Sequence, residues 1–363
     1  MKKKTVLHVI EAFASGALNF LINLTSNQIK DYNIYVLYGI RPLTPDNVES
    51  LFDRRIHLVR AKHFHGALGT VLNPLAYEEV RHYCNLIKPD YVHLHSSSAG
   101  FVGRWCLNCH NVKVFYTPHG FAFLQHDLSS LYKPFYKLME YVSAKCGATI
   151  IACGQSEYRI ARKMTDKVKL VPNGINISDM QKYSVTIRQL HRPLRVCACG
   201  RICSQKNPKL FNKIAELLPR TEFTWIGGGD AANELISSNI KVTGWVDRKE
   251  MLEYFNYNDI YILTTFGEGL PLSLLEAMYM GLPCLASKVR GCVDVISNGI
   301  NGYLCSTAKE FVDRIKTLID DREIYSKISL SGKKLIENNY TLDIMSQNYK
   351  KTYEAADLEG KED

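Results

Sequence analysis

The sequence predicts an α/β protein made of two doubly wound parallel sheets, and three observations predict it. Short apolar runs alternate with helical stretches along nearly the whole chain, the pattern of parallel strands covered on both faces by crossover helices. The series pauses at a polar stretch, 176–192, that has few apolar anchors, and then restarts. The chain has 363 residues, 46% apolar and 22% charged, which suits two to three globular domains of roughly 150 residues each.

In chain order, the first series has strand-like runs at 5–10, 34–38, 91–95, 113–116, 149–153 and 168–171. The second has them at 194–199, 222–226, 240–243, 260–263 and 283–286, separated by helical segments such as 208–218 and 272–280. The expected division is an N-terminal domain over 1–175 and a C-terminal domain over 176–341. Two such sheets facing each other would enclose a cleft, because open parallel sheets bind ligands beyond the carboxyl ends of their strands.

Composition narrows the function. The longest uncharged run, 12–29, is broken by Ser15, Asn19, Asn23, Thr25, Ser26, Asn27 and Gln28, so no membrane-spanning segment is expected. Lys2, Lys3 and Lys4 resemble the start of a secretory signal, but the apolar stretch that follows contains His8 and stops at Glu11; it reads as the first strand of a cytoplasmic protein. Eleven irregularly spaced cysteines fit a reducing compartment. Cys106-x-x-Cys109-His110 and the Cys197, Cys199, Cys203 group lack a second ligand pair at finger-like spacing, so no metal is expected there.

The net charge of +9 lies wholly in the first half: residues 1–185 hold 22 Lys+Arg against 13 Asp+Glu, and residues 186–363 hold 23 of each. That half is expected to meet something anionic, a phosphorylated acceptor or an anionic membrane surface. No recognition helix, zinc finger or aromatic RNA-binding signature accompanies the charge, so nucleic acid is not expected.

The strand ends carry the chemistry. The first strand runs into Ala12-Phe13-Ala14-Ser15-Gly16-Ala17 before a helix expected near Leu18, a small-residue turn whose free N–H groups suit phosphate. No G-x-G-x-x-G follows, which argues against a dehydrogenase. Another strand ends in Thr117-Pro118-His119-Gly120-Phe121, which holds His119 on a stiff turn at the mouth of the sheet. In the second half, Gly200-Arg201 and Lys206 place a planar fork and a point charge at one strand end, a pair able to hold a diphosphate without a metal.

The most specific stretch is Phe266-Gly267-Glu268-Gly269-Leu270-Pro271-Leu272-Ser273-Leu274-Leu275-Glu276. Pro271 suits a helix start, Glu268 falls in the loop before it, and Glu276 lies about one turn in. A carboxylate among Leu274, Leu275, Ala277 and Met278 requires a polar partner.

These features together resemble the family-4 class of retaining glycosyltransferases with the GT-B fold. The resemblance extends through Val171-Pro172-Asn173-Gly174-Ile175 and Asn298-Gly299-Ile300-Asn301-Gly302, covers nearly the whole chain, and implies that a last helix near 342–355 returns to the first domain. It implies that Arg201 and Lys206 neutralise the diphosphate of a nucleoside diphosphate sugar and that Glu276 accepts from its ribose hydroxyls. It further implies that Glu268, with the amides of Gly269 and Leu270 beside Pro271, orients the donor sugar. Val246, in Gly244-Trp245-Val246-Asp247, takes the place of a residue that contacts the base through its backbone, and His119 that of an N-domain residue at the anomeric centre. Gly16 takes the place of a phosphate-binding turn, although such turns often carry two glycines where this chain has Ser15-Gly16. A glycine pair followed by glutamate is likewise replaced by Arg290-Gly291 and Asp294.

The expected reaction transfers a sugar, with uridine diphosphate as the first candidate leaving group, to an acceptor hydroxyl with retention. No Asp-x-Asp occurs in the sequence, so neither metal nor cofactor is expected and fixed cations carry the stabilisation. The aromatics Tyr116, Phe121, Phe123, Tyr132, Phe135 and Tyr136, with Lys133 and Lys137, suggest an acceptor linked to a polyprenyl diphosphate and a peripheral position on a membrane. The Phe121-Ala122-Phe123 extension resembles bacterial capsule and O-antigen transferases. A sugar-nucleotide 2-epimerase of the same shape, or a subunit that binds nucleotide sugars without catalysis, remains open.

Overall fold

The protein is described from a computed structural model, over residues 3–11, 13, 15–42, 44–109, 111–183 and 189–359. Ala12 and Ala14 of the first turn, His110 of the cysteine motif and 184–188 of the linker-like stretch lie outside the described residues.

The chain divides into two compact units, one of residues 1–173 with 342–363, the other of 174–341. The first unit holds seven parallel strands: β1 (Lys4–Ile10), β2 (Tyr32–Tyr38), β3 (His57–Arg60), β4 (Tyr91–His95), β5 (Lys113–Thr117), β6 (Thr149–Ala152) and β7 (Val168–Leu170). Their order is β3-β2-β1-β4-β5-β6-β7. The second holds six: β8 (Arg195–Cys199), β9 (Glu222–Ile226), β10 (Ile240–Val242), β11 (Ile260–Leu263), β12 (Cys284–Ser287) and β13 (Tyr303–Cys305), ordered β10-β9-β8-β11-β12-β13. Each sheet reverses direction once, between β1 and β4 in the first and between β8 and β11 in the second; these are the points where such sheets receive ligands.

Two strands had no counterpart among the expected runs. β3 is an edge strand whose His57 and Arg60 are exposed, and β13 is three residues long, so neither carries a clear apolar run.

Alternation along β1 sorts its side chains. Leu7 and Val9 join the core on one face, whereas Val6 and Ile10 join the other, beneath the helix Ser15–Gln28. That helix begins at Ser15, three residues before the expected start near Leu18. The helix Leu342–Glu359 packs on the same face through Met345, Tyr349 and Tyr353, spaced by four so that they form one stripe. Its Asp357 is bound by Lys4 and Lys113 and accepts from the Tyr91 hydroxyl at 2.6 Å.

Candidate active site

The second unit's site is built from the two loops beyond its switch point. After β8 the chain turns at Gly200 and runs through Arg201 to Lys206; after β11 it runs from Thr264 to Glu268. The loops are laced together: the Phe266 amide donates to the Gln205 carbonyl at 2.9 Å, and the Thr264 hydroxyl donates to the Lys206 carbonyl at 3.0 Å. Across this lacing Lys206 Nζ donates to Glu268 Oε1 at 2.9 Å, and the one proton of the Thr265 hydroxyl goes to the same oxygen at 2.7 Å, Oγ1 lying 3.0 Å from the Gln205 carbonyl without a second proton to give it. Burial works against the ammonium of Lys206, but the Glu268 carboxylate outweighs it and raises its pKa above the ordinary value, so Lys206 stays charged.

The backbone holds Glu268 from the far side. Its amide donates to the Arg290 carbonyl at 3.1 Å, and a Cβ at Gly291, whose φ is +81°, would come within 2.7 Å of the Glu268 Cβ. Gly291, the one glycine kept of the expected pair, thus allows a close approach that no larger residue could make.

Arg201 is placed differently. It is exposed and bonds the still more exposed Asp230 at 2.9 Å, a pair of little energetic weight that a stronger anion can displace.

Glu276 lies on the eight-residue helix Leu272–Tyr279, whose N-cap is Pro271, and is 8% exposed. Its required partner is Arg248, which binds Oε1 through Nη1 and reaches Asp179 Oδ2 through Nε at 2.8 Å. Burial raises the Glu276 carboxyl, and the adjacent guanidinium opposes it. Val246 is half-buried beside Trp245, whose ring packs on Gly228, and Asp247 caps the next helix. Leu270 is buried, and Gly269 follows Glu268 directly.

The first unit's site centres on His119. The residue is half-buried, with φ of +55°, followed by Gly120 at +95°. A left-handed non-glycine residue on such a turn is held there by its surroundings. Its ring packs edge-on against Phe20, 4.5 Å between centroids, and Nε2 lies 3.1 Å from His95 Nδ1. Gly16 is exposed in the first turn of its helix, with open space above it.

The three buried histidines His8, His93 and His95 come within 4.8 Å of one another, close enough to share an ion. Every one of their ring nitrogens already has a hydrogen-bond partner: Gln28, Tyr353, Thr117, His119 or one another. The eleven cysteines are all free thiols.

The aromatic residues around His119, from Tyr116 to Tyr136, split into two populations. Tyr116, Phe121 and Phe123 are core, and Tyr136 packs against that core. Tyr132 and Phe135 are exposed, in line with exposed Leu131, Leu138 and Val142 on and beside the helix Lys133–Ser143. The other face of that helix is anchored by Glu140, which bonds buried Arg104 at 2.7 Å and accepts from the Tyr116 hydroxyl at 2.8 Å.

Residues 14–179 match the family described as Glycosyltransferase Family 4, and residues 193–321 match that described as Glycosyl transferases group 1. The chain is a family-4 glycosyltransferase with the GT-B fold. This glycosyltransferase is 28% identical, over 70% of its length and 72% of the relative's, to a UDP-Gal:alpha-D-GlcNAc-diphosphoundecaprenol alpha-1,3-galactosyltransferase of Escherichia coli. It is 26% identical, over 88% and 90%, to a 41.2 kDa protein in the cps region of Klebsiella pneumoniae. Among solved structures, Anabaena HepE in complex with UDP and glucose superposes with a TM-score of 0.75 at 18% identity, over 96% of this chain and 99% of that one. Sucrose-phosphate synthase of Thermosynechococcus elongatus gives 0.79 at 14% identity, over 98% and 100%.

Four residues that shape this glycosyltransferase's two sites carried no signal on which sequence reasoning acted. Arg248 and Asp179 hold Glu276 from distant positions, and no spacing pairs them. His8 and His95 back His119; the alternation His93-x-His95 does place two imidazoles on one face of a strand and could have marked the cluster.

Proposed function

We propose that this glycosyltransferase moves a sugar from a nucleoside diphosphate sugar, with UDP as the carrier, to a hydroxyl of a lipid-linked saccharide in surface polysaccharide synthesis, with retention of configuration. The observation that supports it best is the Lys206–Glu268 pair at the second sheet's switch point. An ammonium has three N–H donors; one goes to Glu268, and the others can meet the diphosphate oxygens as negative charge grows on the leaving group.

In this reading Arg201 exchanges Asp230 for the diphosphate, and Glu268 orients the transferred sugar with the amides of Gly269 and Leu270. Pro271 has no N–H to offer and starts the helix. Arg248 binds one oxygen of Glu276, which leaves Oε2 to accept from the ribose, and the Val246 backbone meets the base. Gly16 meets the donor's phosphate, and His119 contacts the transferred sugar. Neutral His119 is not cast as a general base; the departing phosphate takes the acceptor's proton. Stabilisation by side-chain cations requires no metal.

The acceptor side rests on charge and exposure. The excess of nine positive charges lies in residues 1–185, and Tyr132, Phe135, Leu138 and Val142 are exposed beside Lys133 and Lys137. An anionic membrane surface suits that combination. Among the described residues no helix is long and apolar enough to cross a membrane, so the proposed association is peripheral.

The test is a thermal-shift panel of nucleotides and nucleotide sugars, followed by transfer assays with and without chelator. Stabilisation by UDP and UDP-sugars above other nucleotides, with chelator-resistant transfer, is the expected result. Transfer that collapses on chelation rejects the mechanism.

A further inference from the structure

His119 ends a hydrogen-bonded series that runs through the interior of the first unit. Its Nε2 lies 3.1 Å from His95 Nδ1, His95 Nε2 lies 3.0 Å from His8 Nδ1, and His8 Nε2 lies 2.9 Å from Gln28 Oε1. Gln28 Nε2 in turn donates to the Tyr353 hydroxyl at 3.4 Å, which lies 2.7 Å from His93 Nδ1; His93 Nε2 is 2.8 Å from Thr117 Oγ1. His8, His93, His95 and Gln28 are buried.

The amide gives this series a direction. The oxygen of Gln28 can only accept, so His8 carries its proton on Nε2 and presents a bare Nδ1. That nitrogen must receive a proton from His95 Nε2, and the bare Nδ1 of His95 must receive one from His119 Nε2. Gln28 donates to Tyr353, which then donates to His93, and His93 donates to Thr117. All the links point the same way. Reversing one alone would leave two N–H groups or two lone pairs facing each other in the interior, so the tautomers change together or not at all. An imidazolium at any junction would break the series, and burial, which lowers the pKa values of all four histidines, keeps the rings neutral.

We propose that Gln28, His8 and His95 are positioning residues that hold His119 as its Nε2–H tautomer, so that Nδ1 faces the ligand as a hydrogen-bond acceptor for a hydroxyl of the transferred sugar. Nδ1 of His119 has no protein partner among the described residues. This rests on the reading that His119 contacts that sugar.

The test is the ring ¹⁵N spectrum of the full-length protein at neutral pH, which distinguishes the two neutral tautomers directly. Protonated Nε2 and bare Nδ1 at His8, His95 and His119 are expected; an Nδ1–H form of His119 overturns the proposal. Gln28→Leu removes the directing oxygen and should mix the His119 tautomers and lower kcat by about 10-fold, the worth of one hydrogen bond, with donor KM changed less. A Gln28→Leu protein whose His119 remains wholly Nε2–H also overturns the proposal. If Gln28→Leu does not fold, the wild-type spectrum decides by itself. His119→Ala separates the two readings: full activity rejects the contact with sugar, whereas lost activity beside an Nδ1–H wild-type ring rejects only the directed series.

Discussion

Lys206 Nζ and Glu268 Oε1 are 2.9 Å apart, and each sits on a loop that leaves one of the two strands flanking the second sheet's switch point. Lys206 without its partner would be a largely buried, uncompensated cation. Burial disfavours the ammonium, and the carboxylate beside it restores the charge. The two residues are a single electrostatic unit, so variants of either disturb both.

Lys206→Ala should lower turnover at saturating donor by roughly 10- to 100-fold, the worth of one charge-assisted hydrogen bond in a transition state. The Lys206→Ala/Glu268→Gln double variant should lose less than the product of the single losses, because each single change already breaks the shared pair. Initial rates of the four proteins check this; strictly multiplicative losses would show that the two act independently.

Arg201→Ala should behave otherwise. Its partner in the structure, Asp230, is 70% exposed by side chain, so the unfolding free energy should stay within about 0.5 kcal/mol of wild type while turnover falls roughly as for Lys206. Urea unfolding beside rate measurements tests it, and unchanged turnover would remove Arg201 from the proposed diphosphate site.

Arg248→Met leaves the Glu276 carboxylate buried with no cation. We expect a stability loss of about 1–3 kcal/mol, the cost of an unsatisfied buried polar group, and a raised donor KM. Adding Glu276→Gln should recover much of the stability and none of the donor affinity. If the double variant is as unstable as the single one, the loss lies in packing instead of charge.

Stability should depend on pH through the histidine series. Burial lowers His8 and His119 from 6.5 to about 4 and takes His93 and His95 well below 6.5. The unfolded chain therefore takes up protons at a higher pH than the folded one, so this stability is complete above pH 6.5 and is lost as pH falls from 6.5 toward 4. Asp357 acts in a lower window: burial raises its carboxyl, but hydrogen bonds from Lys113, Lys4 and Tyr91 prevail and hold it at about 2, so its contribution is lost only below its ordinary value of 3.8. Unfolding midpoints measured from pH 8 to pH 4 should fall first in the histidine window. A flat profile down to pH 4.5 would contradict the buried neutral rings.

Phe135→Ser with Leu138→Ser should sharply reduce co-sedimentation with anionic vesicles and leave the fold intact, since both side chains are exposed and the helix is anchored through Glu140 on its other face. Wild-type binding should weaken with salt, as expected for lysines at a charged surface. Equal binding to neutral vesicles, or no binding, would rule out the anionic-membrane reading.

Much of this protein is determined locally and so is legible in the sequence. Buried parallel strands are rich in apolar and β-branched or aromatic residues, which is why β1, β4, β9 and β11 stand out, whereas the exposed ends of β3 and the three residues of β13 do not. The sequence also marks Glu276 as a carboxylate in need of a partner, because a charge amid leucines is costly wherever the helix packs. Which partner meets it is decided only by folding: Arg248, 28 residues earlier at the start of another helix, reaches it with its guanidinium. Nearness in sequence groups six aromatics from Tyr116 to Tyr136, and only the three-dimensional packing separates core Phe121 and Phe123 from exposed Tyr132 and Phe135. The same holds for His119. Proline and glycine announce its turn, but its proton position depends on Gln28, His8 and His95, which come from three separate elements, because hydrogen-bond direction is a property of groups in contact and not of their order along the chain.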